Sequence, residues 1–342
     1  MSWIDAHMSD SIGIDYGTDH ISLYFTGDQS ILREPSAVAC FVRTNGIAAA
    51  GEEAERLLGR TPKCISLIHP VQNGVVTDYH FAEVLLRSML EKRKKKAALK
   101  PVMMLTVPCG ATDVEERAIM EVAERAGARK TYLVETPVAA ALGAGCDITL
   151  ARGLMVLDIG GGVTDFAAIS LCNTVIGKTD KTAGSAFTEA VIRYLRQRHS
   201  LEIGQASAKR VKEEIGGVVK RDHPLDTFVC GTDVQTHLPR RVRVYSEELL
   251  EAFEEPLQAL CAFIKNTLDE TPPDILGDIM EDGVLLTGGG AKLYGLERRL
   301  RRETGLKLFT AEEPELCAVR GCGIAIEHLA DLPGIVHSYH NI

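Results

Sequence analysis

The chain has 342 residues, with 38 Lys plus Arg against 47 Asp plus Glu and a formal net charge of −9. That acidic balance excludes the basic footprint that non-specific nucleic-acid binding needs. Hydrophobic residues make up 45% and charged residues 25%, the balance of a soluble globular chain of about two domains that buries its core without disulfide or metal staples.

In chain order, Ser11-Ile-Gly-Ile-Asp15-Tyr-Gly17-Thr18 runs into Ile21-Ser-Leu-Tyr-Phe25. This is an apolar strand, an Asp-x-Gly turn and a second strand. The run Lys92, Arg93, Lys94, Lys95, Lys96 and Lys100 is basic within an acidic chain and reads as a solvated helix end, where cations suit the C-terminal dipole. The apolar stretch Val102–Val107 reads as a buried strand. Thr112-Asp-Val-Glu115 is a capping box whose helix should end near Gly127. Thr136-Pro137, then Val138, three alanines, Leu142 and Gly143 read as a helix of small residues, which lets backbones pack as closely as a hinge requires.

Leu154-Met-Val-Leu-Asp158-Ile-Gly160-Gly161-Gly162 then repeats the opening unit and runs into Phe166-Ala-Ala-Ile-Ser170. Helices are expected over 187–198 and 206–215, with a longer one over 247–268 kinked or divided at Pro256 and closed by Thr271-Pro272-Pro273. A third glycine turn, Thr287-Gly288-Gly289-Gly290, is expected to run directly into a helix over 291–304. The polar tail from Ala330 is expected to lie loosely on the surface. The echo of the opening unit points to two similar lobes, and the alternation of strands with helices to α/β layers.

The nine cysteines include no C-x-x-C pair and several sit in apolar runs, so buried reduced thiols are expected rather than disulfides or zinc. No apolar run approaches the ~20 residues of a membrane span, and residues 1–11 lack a basic-then-apolar leader. The expected location is the cytosol.

Chemistry concentrates in the three glycine turns. A glycine turn lets backbone N–H groups approach an anion without an intervening Cβ. An N–H cluster at a helix start, as expected after the third turn, is a natural anion site. Asp15 and Asp158 would repel phosphate directly, so their task would be to hold water around a Mg²⁺ ion bridging phosphates.

Taken together, Ile12-Gly-Ile-Asp15-x-Gly17-Thr18, Glu135-Thr-Pro137-x-Ala-Ala-Ala, Asp158-Ile-Gly-Gly-Gly162 and Leu286-Thr-Gly-Gly-Gly290 resemble the actin and heat-shock-chaperone ATPase superfamily, and within it the MreB/Mbl-type bacterial actins. Glu34-Pro35-Ser36, His69-Pro-Val-Gln-Asn-Gly74-Val and Cys317-Ala-Val-Arg-Gly321-Cys-Gly323 extend the likeness over nearly the whole chain. The resemblance implies an α/β, actin-like ATPase fold: two similar lobes of duplicated, ribonuclease H-like design around a nucleotide cleft. It divides the chain into lobe I (1–33 and 67–150, with a small subdomain 34–66), lobe II (151–185 and 259–310, with a subdomain 186–258) and a C-terminal segment, 311–342, returning to lobe I.

It also implies ATP or ADP with Mg²⁺ as cofactors, and homopolymer filaments at the inner face of the cell membrane that work with cell-shape and cell-wall elongation proteins. Carried over by position, Gly17, Thr18, Gly160, Gly161 and Gly162 clamp phosphates, with Asp19, His20 and Gly184 beside them and Asp15 and Asp158 near the metal. Gly288, Gly289 and Gly290, with Lys292, back the adenosine, and Lys212 with Glu213 approach the ribose and base.

Departures from the pattern bear on activity. Thr136 stands where the resemblance leads one to expect a water-orienting glutamate, and Val163 where a threonine assists the same water. A short hydroxyl lacks the reach and basicity of a carboxylate, and valine cannot hydrogen-bond at all. Asp19 and His20 replace an alanine and an asparagine, Ser185 an aspartate, and Lys209 a ribose-contacting glutamate. The reading is a membrane-associated filament protein with weakened hydrolysis. Two alternatives stay open: an active ATPase switch in which Glu135 or Asp165 positions the water, and a non-polymerising pseudo-actin regulator. The run from Lys92 to Lys100 has two readings of equal weight, an electrostatic contact with anionic lipid and a plain solvated loop.

Overall fold

The structure, a computed structural model, describes residues 11–93, 100–332, 334–336 and 338–341. Ile12–Tyr16 pairs antiparallel with His20–Phe25, Asp15 opposite Ser22, and the Gly17 N–H closes the turn on the His20 carbonyl at 3.0 Å. The echo repeats this. Leu154–Ile159 pairs with Thr164–Ser170, Asp158 opposite Asp165, and the Gly160 N–H closes on the Val163 carbonyl at 2.9 Å.

Each unit grows into a sheet by the same steps. A third antiparallel strand follows, Ser30–Pro35 in one lobe and Asn173–Asp180 in the other. Two parallel strands add on the opposite side: Val102–Val107 then Lys130–Glu135, and Val284–Thr287 then Leu308–Thr310. The first sheet gains a sixth strand, because Ser338–Asn341 pairs antiparallel with Lys130–Glu135. The tail is therefore not loose as expected: it covers what would be an open sheet edge, with unpaired N–H and C=O groups.

Val102–Val107 is buried at every position. Met103 and Leu105 enter the core of the first lobe, while Val102 and Met104 face a central core shared by both sheets. That is the two-sided burial of a parallel strand between layers. The central core is built by the small-residue helix Thr136–Gly143 and the helix Cys317–Glu327. A Cβ at Gly143 would lie 1.8 Å from the Cys317 carbonyl oxygen, and one at Gly321 1.7 Å from that of Ala139. Only glycine permits this approach, which packs the two helices tightly against each other within that central core.

Local signals explain most helices. Thr112 caps Asp113–Arg125 with the reciprocal Glu115 bond, and Gly127 follows in the left-handed region at φ 110°. The helix expected over 187–198 starts earlier and runs Gly184–His199, and that expected over 206–215 is Gln205–Ile215. The stretch 247–268 is divided into Ser246–Ala252 and Glu254–Asp269, with the break at Phe253 rather than at Pro256. Pro256 lies in the first turn of the second helix, where its missing N–H has no partner to lose. The third glycine turn does not run straight into a helix either. It forms a short 3₁₀ segment, Gly289–Lys292, and the α-helix Leu296–Thr304 begins only after Gly295 turns left-handed at φ 77°.

Small three-stranded sheets extend each lobe: Val38–Phe41 with Ile47–Ala50 and Ile65–Ile68, and Asp226–Asp233 with Leu201–Glu202 and Pro239–Tyr245. All nine cysteines are free, but Cys64 and Cys230 are exposed rather than buried. No described helix is long and apolar enough to cross a membrane.

Candidate functional site

The three glycine turns leave the C-terminal ends of Ile12–Tyr16, Leu154–Ile159 and Val284–Thr287 and meet at one cavity of about 580 Å³, a size that suits a small-molecule ligand. The first turn brings Asp15, Gly17, Thr18, Asp19 and His20 to the wall; the second brings Asp158, Gly160, Gly161, Gly162, Val163 and Asp165. Gly184, Lys212 and Glu213 come from the helices of the second lobe, Gly288, Gly289, Gly290 and Lys292 from the third turn, and Thr136 from the hinge helix. Glu135 is absent from the wall. Its Oε2 accepts the hydroxyl of Thr174 in the other lobe, and its charge acts on Asp165 in the wall.

The first two turns interlock. A Cβ at Gly162 would lie 2.4 Å from Thr18 Oγ1, and one at Gly161 2.7 Å from the Asp19 Cβ, so these glycines are required for turn-to-turn approach as well as for access to a ligand. The backbone amides of Thr18, Gly161 and Gly162 have no hydrogen-bond partner among the described residues. The helix Gly184–His199 starts at the same wall; the Gly184 N–H reaches the Gly160 carbonyl at 3.1 Å and the Ser185 N–H that of Gly161 at 2.7 Å. Open amides together with a helix N-terminus make an electropositive cradle for an anion.

The carboxylates sit deeper. The Thr106 hydroxyl donates to Asp15 Oδ1 at 2.9 Å, and the Thr287 hydroxyl to Asp158 Oδ2 at 2.8 Å. Burial raises the Asp15 carboxyl against the lowering effect of Thr106 and Arg33. Burial, with the Asp15 charge adding to it, pushes Asp158 up to about 7. Asp165 also rises to about 7, chiefly through burial; its Oδ1 accepts the Cys109 N–H at 2.9 Å and the Thr179 hydroxyl. Asp165 Oδ2 has no hydrogen-bond partner among the described residues.

The two departures expected to disarm hydrolysis both line the wall. The Thr136 hydroxyl donates to the Val107 carbonyl at 3.0 Å. Val163 packs beside Gly74, whose Cβ position would be 3.2 Å from Val163 Cγ2. His20 is pushed down to about 4, first by burial and then by Arg33 and Lys209, so its ring is neutral near pH 7. Lys212 donates to the Gly184 carbonyl at 2.9 Å and Lys292 pairs with Glu315 at 2.7 Å.

At the end of the cavity near Glu213 and the third turn, the Arg221 guanidinium lies 3.7 Å above the Tyr294 ring and donates to the Gly216 carbonyl. Neither residue was singled out from the sequence, and neither belongs to a local motif. Thr287 was legible as the residue before Gly288. Thr106 was hidden in an apolar strand.

Comparison with known proteins agrees with this geometry. The chain matches the family described as MreB/Mbl protein over residues 9–333. It is 40% identical over 332 residues to the cell shape-determining protein MreB of Escherichia coli (strain K12), covering 95% of each chain. It is 37% identical over 323 residues to the cell shape-determining protein Mbl of Bacillus subtilis (strain 168), covering 94% of this chain and 97% of that one. The crystal structure of MreB 5 of Spiroplasma citri bound to AMPPNP aligns with a TM-score of 0.91 at 30% identity, covering 95% of this chain and 98% of the other. With its duplicated sheets, three converging glycine turns and matches along almost its whole length, the chain belongs to the MreB/Mbl family and has the actin-like ATPase fold.

Proposed function

We propose that the chain binds ATP and ADP with Mg²⁺ in this cleft and assembles into cytoskeletal filaments that serve cell shape, with weakened ATP hydrolysis. The observation that carries the nucleotide reading is the meeting of three glycine turns, with open amides at Thr18, Gly161 and Gly162, at one cavity between two lobes. These amides would hold phosphate oxygens, Gly288 to Gly290 would back the adenosine, and Lys212 with Glu213 would approach the ribose and base. The nucleotide-bound state of the Spiroplasma citri relative supports this.

Asp15 and Asp158 suit a hydrated Mg²⁺ ion. They are close enough for the Asp15 charge to raise Asp158, and a dication between them and the phosphates would offset that repulsion. An ion held by these two carboxylates would keep most of its waters and take phosphate ligands. When bound, it would supply charge neutralisation for the phosphates.

Weakened hydrolysis rests on Thr136 and Val163. The Thr136 hydroxyl proton is committed to the Val107 carbonyl, and Val163 has no group to hold a water. A second reading, an active switch, is favoured by Asp165, a carboxyl in the wall with one oxygen open and a pKa near neutrality, where a general base works best.

Self-association into filaments is what the bacterial-actin likeness implies, and the relatives' designation as cell shape-determining supports a cytoskeletal role with cell-wall elongation proteins as partners. The filament would lie in the cytoplasm against the inner membrane face. Lys92 and Arg93 pair with Glu34 and Asp28 in their own lobe, so lipid contact would fall to Lys100 and to the lysines at 94–96, which lie outside the described residues.

The test is high-speed sedimentation of the purified protein with and without Mg-ATP, with electron microscopy of the pellet. Nucleotide-dependent filaments are expected. Failure to pellet at any concentration, salt or nucleotide state would overturn the filament reading and leave the pseudo-actin regulator.

A further inference from the structure

Two departures that look unfavourable one at a time meet in space. Asp19 lies in the first phosphate turn, and Lys209 lies on the helix Gln205–Ile215 of the opposite lobe. Asp19 Oδ2 and Lys209 Nζ are 3.2 Å apart. Among the described residues this is the ion pair that joins the first lobe to the subdomain 186–258. Both ends are anchored. The Asp19 carbonyl accepts the Ser36 N–H at 3.0 Å and its side chain rests against Gly161, while Ala208 and Val211 bury the inner face of the lysine-bearing helix. Burial raises the Asp19 carboxyl, but Lys209 and Lys212 outweigh it and hold the group below its usual value. Asp19 is therefore charged at neutral pH.

Asp19 lines the cavity and Lys209 does not. Lys209 reaches Asp19 from the opposite lobe, so its charge bears on a ligand through the Asp19 carboxylate. The central core, in which Val102 and Met104 meet Val156 and Ile169, is a junction between the lobes. Opening the cleft about that junction would separate the pair.

We propose that Asp19 and Lys209 form an ionic clasp between the lobes that slows nucleotide exchange; the inference rests on the cleft being the nucleotide site. Their side chains are 39% and 26% exposed, so the clasp is modest and salt-sensitive. A partly exposed pair of this kind corresponds to roughly a two- to five-fold change in rate, and its effect falls as the Debye length shortens to ~3 Å at 1 M salt.

The experiment measures release of a fluorescent ADP analogue, chased with excess ADP, from wild type, Lys209→Ala, Asp19→Ala, the double alanine variant and the charge-reversed Asp19→Lys/Lys209→Asp. Lys209→Ala should release about two- to five-fold faster at low salt, and high salt should bring wild type to the same rate. In the Asp19→Ala background Lys209→Ala should change nothing, and charge reversal should restore slow release. The exposed Cys64 and Cys230 sit on the two small subdomains and allow a second readout. Nitroxide labels there should show a broader, longer distance distribution in nucleotide-free Lys209→Ala than in wild type. If wild type binds no labelled nucleotide, the nucleotide reading itself fails. If it binds, but Lys209→Ala leaves rate and distances unchanged or acts equally with Ala at 19, the clasp is overturned while the nucleotide site stands.

Discussion

If hydrolysis is weakened at Thr136 and Val163 as proposed, Thr136→Glu with Val163→Thr should raise it. In Val163→Thr a hydroxyl replaces one methyl of a side chain that already lines the cavity beside Gly74. The shape is conserved and the new group can meet a cavity water. Thr136→Glu gives up the hydroxyl bond to Val107, at about 1 kcal/mol of stability, and adds a carboxylate to a wall that already holds Asp158 and Asp165. The added charge makes the substitution most tolerable with Mg-ATP present. A positioned acid–base group is worth ~10²–10⁴ in rate. The isosteric single variant should therefore sit near the lower end, and the double variant well above wild type. Single-turnover phosphate release, with protein in excess over Mg-ATP at neutral pH, reads this directly. The reasoning is refuted if wild type already releases phosphate as fast as the double variant. Asp165→Asn would then show whether Asp165 carries the water: a fall of ~10²-fold or more assigns it that task.

Asp165→Asn also makes a stability prediction. Burial pushes the carboxyl up to about 7 in the folded chain, well above the usual carboxylate range. A raised acid contributes stability that is full below its unfolded pKa and is lost as pH rises through the folded one. The ligand-free melting temperature of wild type should fall between pH 4 and 8, and that of Asp165→Asn should fall less; parallel curves would show that burial of this carboxylate is not costly. Gly321→Ala drives a Cβ to 1.7 Å from the Ala139 carbonyl oxygen, so two tightly packed helices must part. A loss at or beyond the ~1–3 kcal/mol of ordinary overpacking should lower the melting temperature by several degrees, and an unchanged melt would deny the close junction. Gly277→Ala is the opposite case: the site is exposed within the helix Pro273–Asp282 with nothing within 4 Å of the added Cβ, so helix propensity should stabilise it by ~0.5–1 kcal/mol, and a lower melting temperature would contradict this.

What could be read from the sequence was written locally. An Asp-x-Gly turn between apolar strands needs only neighbouring residues, so both copies were legible, and two copies implied the duplication seen in the sheets. The Thr112 capping box was legible for the same reason. Most of the misreadings are non-local. The edge that recruits Ser338–Asn341 lies some 200 residues upstream in the strand Lys130–Glu135, and no composition rule marks a polar tail as its partner. The direction of the Glu135 side chain is set by Thr174 in the other lobe. Arg221 and Tyr294 become a stacked pair only when two separate loops meet at the cavity. The delayed start of Leu296–Thr304 is local but subtle: a glycine at 295 in the left-handed region breaks a stretch whose apolar pattern otherwise reads as continuous helix.

Asp19 shows why the electrostatics of such a site cannot be assigned one residue at a time. Taken alone, a carboxylate in a phosphate turn repels the ligand, and a lysine at a position expected to be glutamate removes a ribose contact. Together they cancel at 3.2 Å. Lys212 adds to the field that keeps Asp19 ionised, while its own charge is held at the Gly184 carbonyl. On the proposed reading, the field at the phosphate end depends on a pair drawn from opposite lobes, and opening the cleft would break it. Opening would leave an uncompensated carboxylate in the phosphate turn. The same substitution that clasps the closed cleft would then weaken the open cleft's hold on an anion, which makes closure and binding mutually dependent.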